Sequence, residues 1–173
     1  MKPITRTLLR ILACACITIC ATACHVTYSF SGTSIQTDVK TVTIDFFEYR
    51  APRVNPSLSN DLTEAIRTQF RRMTKLEQVE MDGDMEISGE VTGYDVRASA
   101  VTANEVAAQN RLTITIKVEF VNRKHPEDDF EKSFSNYADY DSTQSLDAVE
   151  SSLCTEIIEK LVDDIFNATV ANW

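Results

Sequence analysis

The stretch Leu112-Thr113-Ile114-Thr115-Ile116-Lys117-Val118-Glu119-Phe120 alternates apolar and polar residues without a break. Successive side chains of a strand point to opposite faces, so this pattern predicts a strand with one buried face and one polar face. It also predicts a covering layer, because an apolar sheet face must be buried against another element. Upstream, Met85, Ile87 and Val91 fall on one face of a second strand, with Glu86, Ser88 and Glu90 on the other. Gly89 and Gly93 are expected on the apolar face, where they leave room for a close approach or a bulge. This strand is expected to run through Val96 towards Val101, and the chain to reverse around Thr102-Ala103-Asn104-Glu105. Downstream, Asn122 to Asp129 reads as a charged hairpin tip and Phe130 to Tyr140 as a third strand.

Towards the N-terminus, Val39 to Phe47 reads as a strand in which Val42, Ile44 and Phe46 share a face. Asn55-Pro56 is expected to open a helix, Asn accepting from the free N–H groups and Pro occupying the first helical position. Leu58, Leu62, Ala65, Ile66, Phe70 and Met73 form its apolar stripe. Its acids, Asp61 and Glu64, come early and its bases, Arg67, Arg71, Arg72 and Lys75, come late, which complements the helix dipole. Leu76 to Met81 reads as a short strand ending in an Asp82-Gly83 turn. Leu146, Val149, Leu153, Ile157, Leu161, Ile165 and Phe166 define a closing helix of about 25 residues. Strand, helix, a run of strands and a helix predict an α+β two-layer sandwich. Its sheet is expected to be mixed but mostly antiparallel, with about four to five strands and both helices on one face. The Thr/Ser/Glu/Lys face is left polar.

The chain begins with Lys2, Arg6 and Arg10, followed by an almost wholly apolar run from Ile11 to Cys20 and then Ala21-Thr22-Ala23-Cys24. A basic segment, a short apolar segment and small residues before a cut describe a secretory signal. The run is shorter than the roughly 20 apolar residues of a membrane-spanning helix. With the cut after Ala23, Cys24 is the first mature residue and the candidate lipidation site, which makes the chain membrane-anchored rather than membrane-spanning. The alternative is an ordinary secretory signal, since Ala21-x-Ala23 fits that pattern too. The expected organisation is a signal over 1–23, a lipidated tether over 24–38 and one domain over 39–173. Cys14, Cys16 and Cys20 leave with the signal, so Cys154 is left as a buried apolar residue on a helix, a reactive thiol or a half of an intermolecular pair.

The full chain carries 17 bases, 26 acids and a formal net charge of −9. Removing the signal leaves 14 bases against 26 acids, a net charge of about −12, which argues against a nucleic-acid partner. His25 and His125 are the only histidines. They provide no histidine cluster for a metal and no Ser-His-Asp or Cys-His set. No Gly-rich phosphate loop is present. Asp82/Asp84, Asp128/Asp129 and Asp163/Asp164 read as turn or helix-surface carboxylates. The expectation is a protein that is not an enzyme and needs no cofactor.

Several segments together resemble the LptE family of lipopolysaccharide-assembly lipoproteins, in its Bacteroidota form. They are Tyr28-Ser29-Phe30-Ser31-Gly32, Asp38-Val39-Lys40-Thr41-Val42, Ala51-Pro52-Arg53-Val54-Asn55-Pro56-Ser57-Leu58, Asn110-Arg111-Leu112-Thr113-Ile114, Phe130-Glu131-Lys132-Ser133-Phe134, Tyr137-Ala138-Asp139-Tyr140-Asp141 and Ala171-Asn172-Trp173. The resemblance implies an outer-membrane lipoprotein that acts as plug and assembly partner of the LptD β-barrel in lipopolysaccharide transport, its domain facing the periplasm or the barrel lumen. It implies the same two-helix α+β sandwich. It supplies no lipid-contact residue by alignment. From their own chemistry, Arg97, Arg111, Arg123 and Lys124 near hairpin ends are candidate contacts for the partner or for lipopolysaccharide. The alternative reading is a stand-alone periplasmic lipoprotein that holds a small ligand or lipid between sheet and helices, which requires an apolar cavity there.

Overall fold

The structure, a computed structural model, describes residues 35–100 and 109–170. The signal, Cys24, most of the tether, the reversal near Thr102 and the closing Trp173 lie outside the described residues. In chain order the elements are β1 (Thr41–Ile44), β2 (Glu48–Tyr49), α1 (Leu58–Met73), β3 (Glu77–Gln78), β4 (Met85–Ala100), β5 (Gln109–Asn122), β6 (Phe130–Asp141) and α2 (Leu146–Val170). A single 3-10 turn, Pro126–Asp128, lies between β5 and β6. The architecture is the expected α+β sandwich: a mixed, open sheet with two helices.

Three long antiparallel strands, β4, β5 and β6, form the main body of the sheet. Leu112, Ile114, Ile116 and Val118 of β5 are fully buried, as the alternation predicts. The sheet order is β3-β1-β4-β5-β6, with β2 also paired to β4. It thus has six strands rather than four or five. The additional strand is β2, two residues in the segment read as a connection, which runs parallel to β4 at Glu48 and Tyr49. β1 is parallel to both of its neighbours. Parallel neighbours need a crossover, and α1 supplies it between β1 and β3.

Apolar side chains of α1 and α2 cover the sheet's buried face. Leu62, Ile66, Ile157, Leu161 and Ile165 are 0 % exposed. Phe70 and Phe166 join the helices edge to face, with ring centroids 5.3 Å apart. Burying a side chain of this size contributes about 1.5–3 kcal/mol, so the layer contact dominates the fold. α2 also reaches the free edge of the sheet. Lys160 Nζ donates to the backbone carbonyl of Tyr137 (3.0 Å) and pairs with Glu156, while Asn136 Nδ2 donates to Asp164 (2.5 Å).

Four local expectations are corrected. β1 ends at Ile44, and Phe46 is exposed while Phe47 is buried. The chain leaves the strand between them and the alternation loses phase, because Phe47 packs against Gly89 and its N–H donates to Thr63 Oγ1. Helix α1 starts at Leu58 rather than at Pro56. Asn55 still acts as expected, its Oδ1 accepting from the N–H groups of Ser57 and Leu58. The Asp82-Gly83 turn does not join paired strands: β1 lies between β3 and β4, and the connection crosses it. Asp82 takes the left-handed φ of 58°, and Gly83 fits because a Cβ there would lie 2.7 Å from Thr43 N. Finally, a register shift between Val91 and Gly93 moves Gly93 to the polar face, opposite Thr115. An inserted residue changes which face the following side chains occupy.

At Gly89 an added Cβ would lie 2.4 Å from Lys117 O and 2.6 Å from Phe47 Cε1. Gly89→Ala is therefore expected to lower the urea-unfolding free energy by about 1–3 kcal/mol. An unchanged midpoint would show that this approach does not set the position of Phe47.

Candidate functional site

The sheet face turned away from the helices carries the polar residues of the alternation, and cross-strand register sets their order. Arg97, Arg111 and Asp139 form one row across β4, β5 and β6. Arg111 binds Asp139 with two parallel bonds of 2.8 Å and stacks 3.5 Å over the Tyr137 ring. The carboxylate beside it raises the Arg111 pKa, and the guanidinium holds Asp139 below the usual carboxylate range. Arg97 faces Arg111 directly and makes no ion pair among the described residues. Nearer the middle of the face, Lys117 pairs with Glu131, while Arg50 pairs with Glu48 (2.6 Å) and Glu90 (2.9 Å). A depression of about 510 Å³ opens here, lined by Asp45, Phe46, Glu48, Arg50, Glu90 and Lys117 among others. Partial burial and the neighbouring Glu86 raise the pKa of Asp45.

The remaining two candidates lie at the other end of β5. Arg123 spans Asp82 (2.8 Å) and Glu86 (2.7 Å), and Lys124 reaches Asp84 (3.4 Å). Twelve residues of strand, about 40 Å, separate Arg111 from Arg123. The four cations are thus two pairs at opposite ends of the sheet and do not form one site.

The Arg123 end is where the expected tether enters the domain. Asp84 accepts from the N–H groups of Lys40 (2.8 Å) and Thr41 (3.1 Å), which holds its pKa low. Gln36 donates to Asp128 (3.0 Å), and His125 Nε2 lies 3.1 Å from Asp38. Asp38 raises the His125 pKa, and its own is lowered in return. By its sequence context Asp84 reads as a turn carboxylate. Its role escapes local pattern because its partners lie more than forty positions upstream.

Cys154 is buried on α2, 3.7 Å from both Asn55 Nδ2 and the Tyr94 hydroxyl. Burial raises its pKa, which keeps the thiol protonated and a poor nucleophile. The Tyr94 hydroxyl donates to Glu150 (2.5 Å), and burial raises its pKa as well. Among the described residues no group of three His, Cys, Asp or Glu side chains is placed to hold a metal. No described helix is long and apolar enough to cross a membrane. Between sheet and helices, where a ligand cavity would lie, Val91, Ile114, Ile116, Leu62 and Ile66 are 0 % exposed.

A family model described as LptE, lipopolysaccharide-assembly, matches residues 39–169. Among solved structures, a hypothetical protein from Chlamydia trachomatis is similar at a TM-score of 0.52 and 9 % identity, covering 78 % of this chain and 99 % of that one. At that identity the likeness is one of fold alone. A minor lipoprotein from Acinetobacter baumannii gives a TM-score of 0.47 at 14 % identity, covering 73 % of this chain and 89 % of that one. An uncharacterized lipoprotein B from Nitrosomonas europaea gives 0.45 at 13 % identity, with 73 % and 79 % covered. None of the curated proteins matches the chain.

Two outcomes follow from the Arg123 end. Asp84→Ala, which removes the acceptor of the exposed Lys40 N–H and the partly buried Thr41 N–H, is expected to lower stability by about 0.5–1.5 kcal/mol, and Asp84→Asn by less because the amide oxygen still accepts. For His125 the folded pKa stands above the usual 6.5, so its contribution is complete below that value and is lost as pH rises through the folded value. Asp38, lowered from 3.8, stays ionised throughout that window. The difference in melting temperature between the wild type and His125→Gln should therefore shrink from mildly acidic to mildly alkaline pH. A difference that grows with pH contradicts the pairing.

Proposed function

The chain belongs to the LptE family of lipopolysaccharide-assembly proteins, and from that premise we propose that it is a non-enzymatic subunit of outer-membrane lipopolysaccharide assembly. In this reading Cys24 carries the lipid anchor, and the domain seats as a plug and assembly partner within an LptD-type β-barrel. The observation that carries the reading is the polar face of β4, β5 and β6. It is long, almost free of large apolar side chains and internally charge-paired through Arg111–Asp139, Lys117–Glu131 and Arg50–Glu90. The interior of a large outer-membrane barrel is polar. Charges already paired within the face enter such a lumen without being stranded, while Arg97, Asp95 and Glu119 on the same face remain to meet partners there. The packed layer between sheet and helices gives no comparable support to a ligand-carrying role.

The domain contributes shape and polar contacts rather than a bond-making step. Its one described histidine is held by Asp38, and its described thiol is buried and protonated. Arg97 and Arg111 at one end of the sheet are candidate contacts for a barrel loop or for a phosphorylated glycolipid. Arg97 is the better placed because its guanidinium is not engaged by a carboxylate among the described residues.

Affinity purification of the full chain from detergent-solubilised outer membranes should retrieve a β-barrel protein. Introducing bulk on the exposed polar face, with Ser133→Trp and Ser135→Trp together, should lower that retrieval about tenfold, the equivalent of 1.4 kcal/mol, with little change in melting temperature. A monodisperse protein with no barrel partner would overturn the assignment. Full retrieval by the double variant would move the contact to another face.

A further inference from the structure

Half of β4 has a strand on one side only. β1 and β2 pair with β4 between Met85 and Val91. That ladder ends where the Arg50 N–H donates to the Val91 carbonyl (2.9 Å), and Pro52, two residues on, has no N–H to extend it. From Gly93 to Ala100, β4 pairs with β5 alone among the described residues. The open edge of β6 is crossed by Lys160, whereas no described side chain bonds to the main chain of Gly93–Ser99.

The direction of the free main-chain groups follows from the register. Val91 turns its carbonyl to Arg50, so its main-chain groups face β2 rather than β5. Thr92 is the extra residue of the bulge, and Gly93 then stands opposite Thr115, the neighbour of Ile116 on the unbroken β5. Alternation along β5 makes Gly93, Asp95 and Arg97 the residues bonded to it. The N–H and C=O groups of Tyr94, Val96 and Ala98 therefore point to the open side. Only the main chain of another strand supplies donors and acceptors at that spacing.

The side chains of the same stretch identify which strand. Asp95 and Arg97 are exposed on the polar face, and neither forms an ion pair among the described residues. Arg97 also stands opposite Arg111, and like charges directly opposite one another are unfavourable. A second β4, antiparallel and centred on Val96, brings Asp95 of each copy opposite Arg97 of the other. The bonded pairs are then Val96 with Val96 and Tyr94 with Ala98, which uses every main-chain group that points outward. The Asp95–Arg97 pairs fall at the non-bonded positions, where facing side chains come closest. On the other face, Val96, which is partly exposed, and Ala98, which is exposed, meet Val96 and Tyr94 of the second copy. A strand of another protein would have to carry a base and an acid at this same spacing, and this chain carries both.

We propose that the open edge of β4, Gly93–Ser99, pairs with the same edge of a second copy of this chain, joining two sheets across a two-fold axis. Such a contact is self-complementary, as a two-fold interface requires. It needs neither the anchor nor the barrel. It engages the same Asp95 and Arg97 that a barrel lumen would meet, so a paired chain is a free chain and not a seated one. A contact of this length lies below the roughly 1,200 Å² of a standard interface. A Kd of about 10–100 μM is therefore expected.

Sedimentation equilibrium of the full chain, in a neutral detergent matched to the solvent density, tests the pairing. The wild type should shift from monomer to dimer as concentration rises through that range. Asp95→Arg leaves only cations in the facing rows, and Arg97→Asp leaves only carboxylates. Each variant alone should associate about tenfold more weakly or less. Mixed in equal amounts, the two variants should recover the dimer, because each then presents what the other lacks. Recovery also shows that both variants are folded. A wild type that stays monomeric throughout overturns the pairing and leaves the edge to a strand of another protein. A dimer unchanged in both variants places the contact on another surface. Variants that keep the wild-type melting temperature but do not complement each other overturn the register centred on Val96.

Discussion

The physical constraint on which the rest of this structure depends is the pairing of β5 on both sides along its length. A strand with neighbours on each edge has no freedom to slip, and its period of two must then divide core from solvent for the whole sheet. Leu112 to Phe120 meet that demand without a fault. The register of β4 and β6, the apolar layer that α1 and α2 cover and the polar face they leave open follow from it. The helices contribute their apolar stripes to a surface that β5 has already oriented.

Much of this was legible in the sequence because long, regular segments were involved. The two helices, the three long strands and the two-layer arrangement follow from periodicity alone. The misreadings cluster where a contact distant in sequence overrides the local pattern. Phe46 and Phe47 exchange faces because Gly89, some forty residues later, makes room for one ring. Gly93 changes face because an extra residue enters β4 next to Val91. The parallel placement of β1 between β3 and β4 has no local signature, since it depends on a helix crossover and on Asp84 reaching the backbone of Lys40 and Thr41. The candidate cations were legible as residues but not as geometry: nothing in the sequence shows that Arg111 is bound by Asp139 while Arg97 beside it is not.

The electrostatics of the polar face bear on how an acidic domain takes part in the assembly of a phosphorylated glycolipid. Exposed ion pairs contribute little to stability, with a median near 0–1 kcal/mol. Their effect here is to neutralise parts of the face locally, while Asp95 and Glu119 stay unpaired on it. Among the described residues the bases without a carboxylate partner include Arg53 and Lys132, and they include Arg97 at one end of the sheet and Arg71, Arg72, Lys75 and Lys40 at the other. The fold separates these positions by nearly the full length of a strand.

The bond from Lys160 to the Tyr137 carbonyl has a consequence for the molecule before it meets any partner. β6 is the longest open edge of the sheet among the described residues, and a bare edge recruits strands from other chains. Lys160 crosses that edge near its midpoint, occupies an outward-facing acceptor and places a charge where a second strand would have to lie. Self-assembly through this edge would first have to break that bond and desolvate the ammonium group. One lysine on the covering helix thus guards the open edge of β6 against pairing with a second chain.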